Sequence, residues 1–169
     1  MKLTEELRKE LEDIYQSLLN DDKVKRMLNI PMHRGSNCYI HSFKVAKLAI
    51  KRALRHKIVD FKVLLYACIF HDYYLYDWRA NKEYRKGHGK NHPGIAAENA
   101  KKDFDIPEES LNIIKSHMWP INFKRFPNSK EARILSLADK KIASIEALTS
   151  KKYKLYKRPE DMKYISSLF

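Results

Sequence analysis

Four histidines and two aspartates in this chain have the types and spacing of a metal site: His41, His71, Asp72, His92, His117 and Asp139. His41 shares a helical face with Val45 and Leu48, so it points inward. His71 follows Leu64 and Cys68 by seven and three residues on an apolar segment, and Asp72 comes directly after it. His92 stands before Pro93 at a helix start, and His117 closes the next helix. Asp139 lies between Leu135 at i−4 and Ile142 at i+3, on the core side of its helix. Singly, each has an ordinary explanation. A lone inward histidine is usually a hydrogen-bonded core residue, and an inward aspartate caps a helix or pairs with a lysine. Six such groups on different helices are costly to bury unless something reconciles them. A divalent cation does so, by neutralising the carboxylates and employing the imidazole nitrogens. Such a donor set suits Fe, Mn, Zn, Co or Ni.

The elements that must position these groups read as helices. Residues 2–19 carry a stripe of Leu3, Leu7, Leu11, Ile14 and Leu18, and a shorter helix is expected at 21–28. "NIPMHRGSNCY" (29–39) is a loop by its Pro, Gly, Ser and Asn. A long helix is expected from about Tyr39 to Lys57, then one at 61–72 capped by Asp60. The interior of the second, "VLLYACIF", is apolar nearly all round and should be central and buried. Residues 73–91 read as a polar connection containing the basic "YRKGHGKNH". Further helices are expected at 92–104, 107–118, 128–148 (capped by Ser129) and 159–168. No repeat and no strand-like alternation of any length occurs. The expectation is one all-α domain over 1–169, a bundle of six to eight helices. Its motif core is about 33–145, with N-terminal helices at 1–28 and a basic helical extension at 150–169.

Composition narrows the class. With 44% apolar residues and only 4 Gly and 6 Pro, the chain is neither disordered nor loop-rich. Cys38 and Cys68 form no metal-type pair, so both are expected to stay reduced in a cytoplasmic protein. "MKLTEELRKELEDIY" is charged and amphipathic rather than a signal peptide, and no apolar run reaches the roughly 18 to 20 residues of a membrane span. The net charge of +13 attracts anions such as nucleotides or nucleic acid, and it equally suits a solvated basic face.

The order of the motifs resembles the HD-domain superfamily of metal-dependent phosphohydrolases. "IHSFKVAKLA" is similar to that family's first metal helix, "ACIFHDYYLYDW" to its His-Asp doublet, and "ILSLADKKIA" to its last motif. Single-metal members need only the positions of His41, His71, Asp72 and Asp139. "NHPGIAAENA" and "IIKSHMWP" add His92 and His117, as in the two-metal HD-GYP phosphodiesterases and the hydrolases that split diadenosine tetraphosphate symmetrically. The implied arrangement has Asp72 bridging two ions. His41, His71 and Asp139 hold the first, and His92 and His117 the second. His88 is a rival for the place of His92, which is preferred for its helix start. No Gly-Tyr-Pro run occurs, which argues against cyclic di-GMP as substrate.

The resemblance implies a phosphatase or phosphodiesterase acting on a nucleotide or a small phosphorylated metabolite. Two cations acidify a shared water, whose hydroxide attacks phosphorus in line. Asp72, His88 (as general acid) and Lys140 are the catalytic candidates. His33, Arg34, Arg85, Lys86 and Lys90 are the substrate-binding ones. Two other readings accompany this: a di-iron oxygenase with the same ligands, and a catalytically silent module binding nucleotide or nucleic acid.

Overall fold

Side-chain caps mark where most helices begin. The structure is a computed structural model that describes residues 3–32, 36–56, 58–80, 82–149 and 159–169. The Thr4 hydroxyl accepts from the Leu7 N–H and opens α1 (Glu5–Asn20); Asp21 opens the single turn α2 (Asp22–Lys25), which runs into a 3-10 turn at Arg26–Asn29. Asn37 caps α3 (Cys38–Ala53), and Asp60 caps α4 (Phe61–Phe70). After the short α5 (Lys82–Arg85) come α6 (His88–Asp103) and α7 (Glu108–Ser116). The Ser129 hydroxyl accepts from the Ala132 N–H at the start of α8 (Lys130–Thr149), and α9 (Pro159–Tyr164) is the last. Each such cap stabilises its helix by about 1 kcal/mol. Among the described residues there are nine α-helices and no strand.

The core forms around α4, whose Phe61, Leu64, Leu65, Ala67, Cys68, Ile69 and Phe70 are all buried. It is apolar on every side because it has helices on every side: α3, α7, α8, α6 and α1 all touch it. α3 in turn packs on α8, and α6 on α7. No helix is long and apolar enough to cross a membrane.

The nine helices among the described residues exceed the six to eight expected, the short α5 falling within the expected connection, and three helix ends differ from the sequence reading. α6 starts at His88, four residues early. Gly87 stands at φ 87°, a conformation glycine adopts without strain, and its carbonyl accepts from both Lys90 and Asn91 N–H at 2.9 Å. Pro93 therefore lies inside the helix, and the "HGKNH" turn before it has no apolar period to betray it. α3 stops at Ala53, where tight turns close through Arg55 and His56. α9 is shorter than expected: its continuation is drawn out of helix as the Tyr15 hydroxyl donates to the Ile165 carbonyl at 2.8 Å and Ile165 and Leu168 are buried.

Candidate metal centre

All six residues singled out by spacing converge. His41 comes from the first turn of α3, His71 and Asp72 from the end of α4, and His92 from α6. His117 is the C-cap of α7, and Asp139 lies mid-way along α8. None is more than 8% exposed.

The imidazoles are aimed by their outer nitrogens. The Nδ1 atoms of His71, His92 and His117 lie 2.8 Å from the carbonyls of Cys68, His88 and Ile114. A carbonyl only accepts, so Nδ1 carries the proton and, in the neutral ring, Nε2 is left with its lone pair. His41 Nδ1 meets Glu146 Oε2 at 2.8 Å instead. All four Nε2 atoms then face two carboxylates. Asp72 turns one oxygen to each half of the cluster: Oδ2 lies 3.3 Å from His71 and 4.0 Å from His41, and Oδ1 lies 3.2 Å from His92 and 3.8 Å from His117. Asp139 Oδ1 lies 3.1 Å from His41 Nε2 and 3.7 Å from His71 Nε2.

Two features of this cluster fit a cation. His92 Nε2 and His117 Nε2 face each other at 3.1 Å, although both rings have their Nδ1 at a carbonyl. His71 Nε2 is buried and makes no hydrogen bond. Donors held about 2.0 to 2.2 Å from one ion sit about 3 to 3.5 Å apart, close to these separations. The triads His41/His71/Asp72 and Asp72/His92/His117 could each hold an ion, and they share only Asp72; His71/His117/Asp139 is a third grouping.

The side chains alone meet the cluster's charge with protons. Burial would raise Asp72, but His71 and His92 pull it well below the carboxylate range. Burial would lower His41, but Glu146 and Asp139 outweigh it and carry it up to about 9. His71 is likewise raised, by Asp72 and Asp139 against burial. His117 is pushed down to about 3, by burial first and then by His71 and His92.

Glu146 escaped the sequence reading. It is buried in α8, accepts from Ser36 Oγ at 3.0 Å, and has Lys44 Nζ at 3.6 Å. The one signal for it is its place seven residues after Asp139, two turns along the same helix face.

A family model described as HD domain matches residues 38–144, well over half of the chain. The chain belongs to the HD-domain family. No curated protein and no solved structure matches it. The family is of the metal-dependent hydrolase type, and the buried His/Asp groups of this HD domain could bind metal ions accordingly.

A cavity of about 270 Å³ opens over the cluster, with Asp72, His92, His117 and Asp139 at its base. Lys140 lines it and donates from Nζ to the His117 carbonyl at 3.3 Å. His88 lines it too, outside the cluster: it stacks on His92 at 4.5 Å and on Trp78 at 5.1 Å, and its Nδ1 lies 2.8 Å from the Tyr76 hydroxyl. So it is His92, and not His88, that faces Asp72. Arg85, Lys86 and Lys90 are exposed, and none lines this cavity. Arg85 Nη2 donates to the Arg79 carbonyl at 3.0 Å, and Lys86 borders a shallow hollow behind His88. His33 and Arg34 lie outside the described residues. A larger hollow, about 620 Å³, borders Asp60, Asn112, Phe126 and Glu131 and contains none of the six convergent residues.

Proposed function

We propose that this HD domain is a phosphohydrolase that cleaves a phosphate ester or anhydride of a nucleotide or small phosphorylated metabolite. It uses two divalent transition-metal ions, Fe or Mn before Zn, Co or Ni. The observation that carries this reading is Asp72, whose two oxygens face two separate histidine pairs. His41, His71 and Asp139 would hold the first ion, His92 and His117 the second, and Asp72 both. When bound, such ions supply an acidified water at neutral pH and offset charge on the phosphoryl oxygens.

The chain's own residues do the rest. Nδ1 bonds to carbonyls and to Glu146 lock four imidazoles in place, so no reorganisation accompanies reaction. Lys140, whose Nζ donates to the His117 carbonyl and to the Ser136 carbonyl and hydroxyl, stands at the cavity wall and would exchange one of these bonds for a phosphoryl oxygen. His88 is held neutral, its value lowered to about 4 by burial and by His92. Its Nδ1 lies 2.8 Å from the Tyr76 hydroxyl, and in the tautomer that carries Nε2–H it would be a donor for the leaving oxygen rather than a full proton source. The remaining wall is apolar or aromatic: Met32, Tyr74, Trp78, Met118, Ile121 and Ala143. Among the described residues Lys140 is the one lysine or arginine lining it, which favours a substrate with few charges beyond the reacting phosphate. The volume is just under the roughly 300 to 1,000 Å³ of ordinary ligand pockets, so the substrate is small. Two buried free thiols, Cys38 and Cys68, suit a cytoplasmic setting.

The test is hydrolysis of p-nitrophenyl phosphate and its bis-ester by Mn²⁺-loaded protein, followed by a nucleotide panel. Turnover that chelator abolishes supports the proposal. Oxygen uptake with iron and no hydrolysis would replace it with an oxygenase, and salt-dependent nucleic-acid binding without turnover with a binding module. Lys140→Ala should lower kcat/KM about 10- to 100-fold, the loss of one charge-assisted hydrogen bond. An unchanged kcat/KM would remove Lys140 from the site.

A further inference from the structure

A chain of polar groups, buried at Glu146 and half-buried at Lys44 and Asp161, leads away from the cluster to α9. Glu146 Oε2 accepts from His41 Nδ1 at 2.8 Å, and its Oε1 accepts from Ser36 Oγ at 3.0 Å and faces Lys44 Nζ at 3.6 Å. Lys44 Nζ in turn reaches Asp161 Oδ1 at 2.7 Å. The lysine is only 16% exposed, and the two carboxylates 7% and 14%. His41 and Lys44 are three apart on α3 and share a face; Asp161 comes from α9. That segment contributes no residue to the cluster and lies beyond the matched 38–144. It is held in place independently: Tyr15 donates to the Ile165 carbonyl, Gln16 Nε2 to the Ser166 carbonyl at 2.7 Å, and the Leu168 N–H to Glu12 at 3.0 Å.

We infer that Asp161 is a positioning residue for the metal centre, acting through Lys44 and Glu146 on His41. The inference rests on the metal-site reading above. Lys44 has two carboxylates to choose between and sits 0.9 Å nearer Asp161 (2.7 against 3.6 Å). Asp161 therefore draws the cation off Glu146. The Glu146 charge stays directed at His41 Nδ1, which holds the ring in place and makes Nε2 the better donor to a metal. Without Asp161 the ammonium collapses onto Glu146, competes for that charge and weakens the His41 ligand. The C-terminal segment thus tunes the ion held by His41 and leaves the His92/His117 side untouched.

The test is Mn²⁺ affinity by calorimetry on the full chain, with circular dichroism for the fold. Partners of ligating histidines are worth about 10- to 100-fold in metal affinity, so Glu146→Gln should lose that much at one of the two sites. Asp161→Asn, one step further out, should lose about 3- to 10-fold at the same site, and Asp161→Glu should restore most of it. In a Lys44→Met background Asp161→Asn should have no further effect. Gln16→Ala, which loosens the tail outside this chain of groups, should stay within about 2-fold of wild type. The inference is overturned by wild-type affinity in Asp161→Asn. It is equally overturned by an undiminished loss in the Lys44→Met background, or by an equal loss in Gln16→Ala. Wild-type protein that takes up no Mn²⁺ sinks the metal-site reading itself.

Discussion

Asp72→Asn should strip the protein of both ions and lower phosphate-ester hydrolysis by at least about a thousandfold. The substitution keeps the shape of the side chain and changes only what its two outer atoms can do. As a carboxylate, Asp72 presents acceptor oxygens 3.3 Å from His71 Nε2 and 3.2 Å from His92 Nε2. As an amide it is neutral, and one of those positions becomes a donor. Among the described residues no other carboxylate faces both histidine pairs: Asp139 lies nearest His41 and His71, and Glu146 is behind His41. Helix content should persist, because the side chains buried in α4 stay in place. Metal analysis with circular dichroism checks both points. A variant that keeps two ions and its turnover would show that Asp72 bridges nothing.

Chelation should lower the melting temperature by roughly 8 to 16 °C. Two ions, each at about 30 times its dissociation constant, together stabilise by about 4 kcal/mol, and a chain of this size shifts about 2 to 4 °C per kcal/mol. The effect has a sign in pH. In metal-free protein His41 is raised from 6.5 to about 9, so its proton contributes stability in full below 6.5 and loses it as pH climbs through 9. A cation takes the place of that proton and binds better once it is gone. The melting-temperature gap between loaded and chelated protein should therefore widen from pH 6.5 to 9, and calorimetry at low pH should register proton release on metal uptake. A gap that narrows over this range would mean that His41 is not a ligand.

Much of this was legible in the sequence, for identifiable reasons. α4 announces itself by an apolar run that only a central helix can carry, and Asp60 and Ser129 by their cap positions. The six convergent residues stood out because a buried ionisable group on an apolar face is expensive, and six such groups share one solution. Glu146 did not stand out: glutamate in "ASIEAL" is ordinary helix surface until the geometry turns it inward. The basic stretch before His92 has no periodicity, so nothing there showed that Arg85, Lys86 and Lys90 stand outside the cavity that His88 lines. The role of the last eleven residues was hidden as well. Their contacts are to α1 and α3, more than a hundred residues away, and local pattern does not report such pairings.

The central claim is that two ions share one carboxylate, and metal content per chain tests it most directly. Freshly purified wild-type protein should carry close to two transition-metal ions per chain, and His117→Ala close to one, because His117 Nε2 lies 3.1 Å from His92 Nε2 and 3.8 Å from Asp72 Oδ1. One ion in both proteins would contradict the two-metal centre and reassign His117 and His92 to substrate contact. No ion in either, even after incubation with Mn²⁺ or Fe²⁺, would contradict the hydrolase mechanism as a whole.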